Sequence, residues 1–200
     1  MKSPRTYVHR KIRITVMPGV FHPGLFFSTR VLIEFLEGLD LRNKRLLELG
    51  AGSGLISIFC AQEKGATVTA SDINPVALKS LEVNAKVNNV SINILESDLF
   101  HRLRVDDFDF IIINPPYYPK EPTNLEEHAW FCGEEFDYFK KLFIHLRLSD
   151  LSSIMVYMIL SEDCKIGTIE TLAKEKDLRM DVVYQKTMSG EVNYVFRISS

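Results

Sequence analysis

The chain has 200 residues, of which 46% are hydrophobic and 25% are charged, and its formal net charge is −2 at pH 7. This length suits one domain with a full hydrophobic core. The slight negative charge provides no overall attraction to the phosphates of a nucleic acid. Three scattered cysteines support neither a disulfide framework nor a zinc site. No apolar leader or membrane-length apolar run is present, so we expect a soluble, cytoplasmic protein.

Apolar runs with strand character alternate with helical patterns along most of the chain. Strands are predicted at 45–49, 67–72, 91–95, 109–113, 152–160, 179–187 and 191–199, and helices at 55–64, 74–88, 136–146 and 163–176. The link Ser189-Gly190 is so short that the last two strands must be antiparallel. Residues 7–16 are predicted as a strand, or as the start of a short hairpin that ends at Pro18-Gly19. The pattern predicts an α/β domain with a mainly parallel sheet.

A glycine-rich turn follows the first strand of this alternating region. Gly50, Gly52 and Gly54 stand where the strand turns into its helix, and ligands of open α/β sheets bind at such turns. Glycines permit tight curvature and close approach of a ligand to the backbone. The spacing is Gly-x-Gly-x-Gly, whereas dinucleotide folds use Gly-x-Gly-x-x-Gly. It favours a cofactor without a pyrophosphate, such as S-adenosylmethionine.

Acidic residues accompany three successive strands. Glu48 precedes the turn, where it can order the loop or reach the amine of a cofactor through water. Asp72 ends the next strand and suits the two ribose hydroxyls. Asp98 follows the third strand and suits an adenine amino group. Each acid alone is equally typical of a tight turn, a helix cap or a surface turn, and an NAD-type oxidoreductase is the alternative for this half of the chain.

The tetrapeptide Asn114-Pro115-Pro116-Tyr117 follows the apolar strand at 109–113. The side-chain oxygen of Asn114 and the carbonyl of Pro115 can accept the two N–H groups of a planar amide or amino nitrogen and stabilise charge that develops on it. The prolines fix the φ angles that hold the carbonyl in place, and Tyr117 offers a flat face. The alternative is a simple proline turn. Because the tetrapeptide follows the glycine turn in the same chain, we favour methylation of a nitrogen over a non-catalytic cofactor-binding subunit.

These motifs resemble those of class I S-adenosylmethionine-dependent methyltransferases of the Asn-Pro-Pro-Tyr type. Residues 19–24 and 28–34 are similar to the lead-in of the small-domain group, and residues 128–133 are similar to a cluster in the short release-factor glutamine methyltransferases. The resemblance implies a Rossmann-like, seven-stranded methyltransferase sheet that is mainly parallel with an antiparallel C-terminal strand. It also implies one methyltransferase domain over 1–200, with an N-terminal extension and lead-in helix in 1–45 and the catalytic core in 45–200.

The resemblance further implies S-adenosylmethionine as cofactor and N5-methylation of a glutamine in the Gly-Gly-Gln loop of a translation release factor. The predicted cofactor-binding residues are Glu48, Gly50, Gly52, Gly54, Asp72, Asp98 and Asn114, and the predicted catalytic residues are Asn114, Pro115 and Tyr117. No metal is predicted. The short type commonly works with a small activator subunit, and the residues of this chain leave open whether it has one. The 45 residues before the glycine strand leave no room for the helical N-terminal domain of the bacterial enzymes.

The same tetrapeptide serves enzymes that methylate adenine N6 or guanine N2, so an amino group of RNA or DNA is the alternative substrate. Residues 121–137 contain six acids and no Lys or Arg, which favours a basic protein loop over a phosphate backbone at the site. Residues 1–45 contain nine Lys and Arg, which would suit an RNA on the opposite wall. Phe21, Phe26 and Phe27 are predicted to pack over the cofactor or core, with stacking on a base as the alternative. We favour a protein substrate.

Overall fold

A computed structural model describes residues 3–200 and shows an α/β architecture with two sheets. The strands are β1 Arg5–His9, β2 Ile12–Val16, β3 Arg45–Leu49, β4 Thr67–Asp72, β5 Asn93–Glu96, β6 Phe110–Ile113, β7 Met155–Ser161, β8 Arg179–Met188 and β9 Glu191–Ser199. The α-helices are α1 Phe27–Glu37, α2 Leu55–Gln62, α3 Pro75–Val87, α4 Asp137–Arg147 and α5 Ile166–Lys174. Within residues 3–200, every helix is too short or too polar to pass through a bilayer.

The larger sheet has seven strands in the order β5-β4-β3-β6-β7-β9-β8. Neighbouring strands from β5 to β7 are parallel, and β9 is antiparallel to both β7 and β8. The prediction of a mainly parallel sheet is therefore confirmed, with β9 as the one strand that runs against the others. The two-residue turn at Ser189 and Gly190, both with positive φ, allows β9 to return directly between β7 and β8.

Apolar side chains cover both faces of this sheet, which explains why its central strands are apolar without alternation. Ile111 and Ile113 of β6 point into one core with helix α4, while Ile112 points into the other core with α1 and α2. Helix α4 begins one residue later than the aromatic pattern predicted, because Phe136 adopts a left-handed conformation with φ 60°. The two cores fix the central strands on which the polar loops are carried.

The N-terminal strands form a separate two-stranded hairpin. The chain reverses after His9, where Arg10 has φ 54°, so residues 7–16 are not one strand and the hairpin ends at Val16, before Pro18-Gly19. The alternating pattern was correct for β2, whose Ile12, Ile14 and Val16 are buried. The reversal lacks glycine, asparagine and proline, and therefore carries no sequence signal.

Two asparagines of helix α3 attach this hairpin to the rest of the protein. The side chain of Asn84 accepts from the N–H of Thr15 at 2.8 Å and donates to its carbonyl at 2.9 Å. Asn88, one turn later, makes the same pair of bonds with the backbone of Arg13, at 3.0 and 2.7 Å. The two side chains therefore supply the hydrogen bonds that a further strand would otherwise give to the edge of β2.

We expect Asn84→Ala to lower the free energy of unfolding by about 2–4 kcal/mol, because it leaves the part-buried N–H of Thr15 and the buried carbonyl of Ser53 without their side-chain partner, while the Thr15 carbonyl keeps the Ser80 hydroxyl. Urea denaturation followed by circular dichroism measures this change. The matched control is Asn93→Ala, which removes an exposed asparagine with a single 3.3 Å bond to Thr69 and should change the free energy by less than about 0.5 kcal/mol. Equal losses in the two variants would contradict the attachment described above.

Candidate cofactor and substrate site

The register of three parallel strands brings the predicted motifs to one edge of the sheet. Leu49, the last residue of β3, pairs with Ser71 of β4 on one side and with Ile113 of β6 on the other. The glycine turn and Asn114 therefore leave the sheet side by side. In addition, Asp72 pairs with Glu96 of β5, which places Asp98 beyond the same edge. One cavity at this edge is lined by residues from all four strand ends.

The glycine turn is bonded to strand β4. The N–H groups of Gly50 and Ala51 both donate to the carbonyl of Ser71 at 2.9 Å, and the N–H of Gly52 donates to Oδ2 of Asp72 at 2.8 Å. Gly50 and Gly52 have φ of 75° and 54°, a region that disfavours residues with a side chain. A Cβ on Gly50 would meet no atom within 4 Å, so the backbone here borders open cavity.

Gly54 has a different role from the other two glycines. It is the N-cap of α2 with φ 82°, and a Cβ there would lie 2.7 Å from Cγ and Cδ1 of Leu81. It does not belong to the residues that line the cavity. The structure therefore explains this glycine by packing of the turn against α3, and cofactor contact by Gly54 stays a sequence prediction.

Glu48 is a buried carboxyl group that caps helix α2 from the neighbouring strand. Its Oε2 accepts from the N–H of Ser57 at 2.8 Å and also from the Ser57 hydroxyl. Ser57 lies in the first turn of α2, where N–H groups lack partners within the helix. Burial raises the pKa of Glu48 to about 8, helped by the charge of Asp72 and opposed by the bonds from Ser57. Of the two roles predicted for Glu48, the structure shows the ordering of the loop.

Asp72 and Asp98 are both half-buried, and Asp72 is the more tightly held of the two. The two oxygens of Asp72 accept from the N–H groups of Gly52 at 2.8 Å and Asn74 at 2.9 Å, so the side chain is fixed in one orientation. Burial raises the pKa of Asp72, against the lowering effect of these bonds. The side chain of Asp98 is 41% exposed and lies 4.0 Å from Nδ1 of His101. Both carboxyl groups line the cavity, and their contacts with ribose and adenine remain predictions.

The tetrapeptide after β6 lines the other side of the same cavity. Asn114, Pro115 and Tyr117 all contribute to its wall, and Pro115 is buried while Asn114 and Tyr117 are half-buried. The ring of Tyr117 packs against Tyr118 at 4.7 Å between centroids. Burial raises the pKa of Tyr117, so its phenol is neutral at physiological pH. The side-chain amide of Asn114 and the Pro115 carbonyl are thus available at the cavity with a neutral aromatic ring beside them.

Three aromatic rings form a cluster at the wall of the cavity. The centroids of Phe21, Phe26 and Trp130 are mutually separated by 5.0–5.2 Å, and Phe21 and Trp130 line the cavity. The phenylalanines predicted to pack over the site are thus joined by Trp130, which no sequence motif singled out. Contacts between residues more than 100 positions apart leave no trace in a single sequence. Phe27 instead begins α1.

The segment after the tetrapeptide is closed into a loop at the mouth of the cavity. The carbonyl of Tyr118 accepts from the N–H of Cys132 at 2.9 Å, and the N–H of Tyr118 donates to the carbonyl of Trp130 at 3.1 Å. A 3-10 helix, Leu125–Ala129, lies within this loop, and its Leu125, His128 and Ala129 contribute to the cavity wall. Of the acidic residues in the segment, Glu126 lies against Gly19, which lines the cavity, and Glu121, Glu126, Glu134 and Glu135 are exposed.

The charges of the lining residues indicate which kind of cofactor the cavity suits. It contains three carboxyl groups, from Glu48, Asp72 and Asp98, and within the described residues none of the lining side chains belongs to Lys or Arg. A pyrophosphate here would lie beside these carboxyl groups with no Lys or Arg in the lining to balance its charge, whereas carboxylates attract a cation. The cavity therefore suits a cofactor with positive charge and without phosphate. S-adenosylmethionine, with its sulfonium and amino groups, fits this residue set.

Comparison with known proteins agrees with this geometry. Residues 11–137 match the model of the "Methyltransferase small domain" family. The chain belongs to this family. It is 46% identical over 166 residues to a putative protein N5-glutamine methyltransferase of Methanocaldococcus jannaschii, a match that covers 80% of this chain and 83% of the relative. The resemblance inferred from the motifs is confirmed, the chain is an S-adenosylmethionine-dependent methyltransferase, and the oxidoreductase alternative is set aside.

More distant similarities include both protein and RNA methyltransferases. The chain is 39% identical over 128 residues to a release factor glutamine methyltransferase of Fusobacterium nucleatum, covering 60% of this chain and 36% of the relative. It is 31% identical over 134 residues to ribosomal RNA small subunit methyltransferase C of Vibrio vulnificus, covering 66% of this chain and 38% of the relative. It thus spans less than half the length of these two relatives.

Two solved structures share the fold. The structure of the E. cuniculi Mtq2-Trm112 complex, described as responsible for methylation of the eRF1 translation termination factor, matches with TM-score 0.67 and 20% identity over 91% of this chain and 99% of that chain. The T. thermophilus 16S rRNA N2 G1207 methyltransferase in complex with AdoMet and guanosine matches with TM-score 0.70 and 22% identity over 98% of this chain and 50% of that chain. Both confirm the predicted Rossmann-like methyltransferase sheet.

We expect Glu48→Gln to flatten the dependence of stability on pH. In the folded protein the pKa of Glu48 is raised to about 8, so the stability that this group contributes is complete below the ordinary Glu pKa and is lost as the pH rises through about 8. Glutamine can still accept from Ser57 but does not ionise. Between pH 5.5 and pH 9, the free energy of unfolding of the wild type should therefore fall by at least about 1 kcal/mol more than that of Glu48→Gln.

Urea denaturation of both proteins at the two pH values measures this difference. The matched control is Glu82→Gln, which replaces an exposed glutamate on α3 and should leave the pH dependence as it is in the wild type. A Glu48→Gln profile parallel to that of the wild type would show that Glu48 keeps an ordinary pKa in the folded protein.

Proposed function

We propose that this methyltransferase modifies a planar amide nitrogen, namely the side chain of a glutamine in a translation release factor. The observation that carries the proposal is the shared cavity: Asn114, Pro115 and Tyr117 line it together with the carboxyl groups that suit the cofactor. The names of the relatives from M. jannaschii and F. nucleatum support glutamine as the target. Residues 1–200 are proposed to act as one methyltransferase domain.

S-adenosylmethionine, when bound, supplies a methyl group on a positively charged sulfur. Asp72 and Asp98 are proposed to hold its ribose and adenine. Gly50 and Gly52, which lack side chains, are proposed to let the cofactor approach the backbone closely. Asn114 then accepts one N–H of the substrate amide through its side-chain oxygen, and the Pro115 carbonyl accepts the other. These acceptors orient the nitrogen and stabilise the positive charge that grows on it.

No general base is needed in this proposal, because the proton of the methylated amide leaves to water after the methyl group has moved. The neutral ring of Tyr117 provides an apolar face for the planar amide. The aromatic cluster of Phe21, Phe26 and Trp130 adds apolar surface to the cavity wall and restricts the access of water to the site. The chain thus binds, orients and shields the reacting groups.

The charge around the mouth supports a protein substrate. The exposed Glu121, Glu126 and Glu134 lie on the loop that borders the cavity, and a phosphate backbone would be repelled there. Arg45 begins β3 at the opposite edge of the sheet, where it pairs with Asp109 at 2.8 Å. Lys44 directly precedes it, so this part of the basic N-terminal segment is far along the strand from the site. A basic or neutral protein loop suits the mouth better.

We further propose that the chain works in the cytoplasm with a small activator subunit. The similarity to the Mtq2-Trm112 complex supports the activator. All three cysteines are buried and unpaired, which is typical of a reducing compartment. Turnover by the chain purified alone, compared with turnover after co-expression with small proteins of the same source, tests for an activator. Full activity of the isolated chain would contradict it.

We expect Asn114→Ala to lower kcat by about 100-fold or more, because it removes one of the two acceptors for the amide. Binding of S-adenosylhomocysteine should change less than about threefold, since Asp72 and Asp98 remain. Turnover is measured with methyl-labelled S-adenosylmethionine, and binding by calorimetry. Asn93→Ala is the control at a distant, exposed site. Turnover of Asn114→Ala equal to that of the control would contradict the proposed mechanism.

The substrate class is decided by offering the enzyme both candidates. Methyl-labelled S-adenosylmethionine is incubated with a release factor and with total RNA from the same source, separately and mixed. We expect label on one protein, with a mass increase of one methyl group on a glutamine. Label in RNA that is lost at raised salt would instead assign the amino group of a nucleobase as the target.

A further inference from the structure

Tyr138 is a cavity residue that the sequence motifs do not include. It lies in the first turn of α4, and its N–H donates to the Cys132 carbonyl at 3.0 Å. Its ring packs edge-on against Phe139, with 5.4 Å between centroids and 83° between planes. Phe139 is fully buried. Tyr138 is therefore held by the helix on one side and by the core on the other, with a rigid orientation relative to the cavity.

The hydroxyl of Tyr138 is a hydrogen-bond donor in an acidic environment. Tyr138 lines the cavity together with Asp72 and Asp98. Burial raises the pKa of Tyr138, and the charges of Asp72 and Asp98 raise it further, so the phenol keeps its proton. No residue in the described range 3–200 forms a hydrogen bond with this hydroxyl. The residue is half-buried on the cavity wall, and its hydroxyl is not enclosed in the core, so it is accessible to donate to a bound molecule.

The chemistry of adenosine supplies such a partner. Asp72 and Asp98 offer only acceptors, which suit the ribose hydroxyls and the adenine amino group. The adenine edge that runs from the ribose to the amino group carries the ring nitrogens N3 and N1, and both are acceptors. A cofactor held at its ribose by Asp72 and at its amino group by Asp98 presents these two acceptors to the same part of the cavity wall, where Tyr138 is a neutral side-chain donor.

We propose that Tyr138 is a cofactor-specificity residue whose hydroxyl donates to the N1–N3 edge of the adenine. Together with the acceptor Asp98, it distinguishes adenine from a base that carries a donor on this edge. This inference rests on the proposed binding of S-adenosylmethionine in the cavity. The only side-chain contact predicted for the adenine was the carboxylate of Asp98, which accepts. Tyr138 adds a donor to this site.

Binding of S-adenosylhomocysteine tests this inference without turnover. Trp130, the single tryptophan of the chain, lines the same cavity, so its fluorescence reports the titration. We expect Tyr138→Phe to raise the Kd roughly 3- to 12-fold, the loss of one hydrogen bond. The stability of the variant should equal that of the wild type, because the ring that packs on Phe139 is kept. Tyr194→Phe, which alters a half-buried tyrosine of the same core at another surface, is the control and should leave the Kd unchanged.

Deaza analogues identify the accepting atom. Titrations with the 1-deaza, 3-deaza and 7-deaza forms of S-adenosylhomocysteine are made with both the wild type and Tyr138→Phe. We expect the 1-deaza or the 3-deaza form to bind the wild type more weakly by the same factor, with no such penalty in Tyr138→Phe. The 7-deaza form, altered on the other edge, should affect both proteins equally.

An unchanged Kd in Tyr138→Phe, or a deaza penalty that persists in this variant, overturns the inference and leaves the proposed function intact. Absence of S-adenosylhomocysteine binding by the wild type overturns both. Normal binding by the wild type without methylation of any substrate, even after co-expression with small proteins of the same source, contradicts the proposed function alone, because the contact of Tyr138 with adenine requires only the cofactor.

Discussion

The site depends on the two-sided pairing of strand β3. Because β3 lies between β4 and β6, its last residue, Leu49, is in register with Ser71 and Ile113. This pairing fixes the distance between the glycine turn, the cofactor acids and the Asn-Pro-Pro-Tyr tetrapeptide before any side chain of the site is considered. The cores on both faces of the sheet hold the register, since a shift of β3 would move buried leucines out of them.

The cavity also depends on the placement of acids without neighbouring cations. Glu48 is buried and Asp72 is half-buried beside the cofactor loop, and the charge of Asp72 adds to the effect of burial in raising the pKa of Glu48. A protonated Glu48 can satisfy Ser57 without adding a second buried charge next to Asp72. The site therefore holds its negative charge on Asp72 and Asp98, which face the cavity, while Glu48 serves the loop.

Local motifs made the fold predictable, together with most of the polar residues that line the cavity. The run at 110–113 identified a central strand because strands covered on both faces are apolar throughout, and Gly50 and Gly52 follow β3 with the positive φ that only glycine adopts easily. Contacts between distant segments were not predictable. Trp130 meets Phe21 through tertiary packing, Tyr138 enters the cavity through the start of α4, and Gly54 is required by Leu81 of another helix. A single sequence does not show which of its distant residues come into contact.

The bonds of Asn84 connect the hairpin to the cofactor loop as well as to α3. One amide group, Nδ2, donates to the Thr15 carbonyl in β2 and to the Ser53 carbonyl in the glycine turn, both at 2.9 Å. Local unfolding of either segment removes one of the bonds that fix the Asn84 amide, on which the other segment also depends, so we expect the two segments to open cooperatively. A ligand that immobilises the glycine turn consequently slows amide hydrogen exchange in a hairpin that it does not touch.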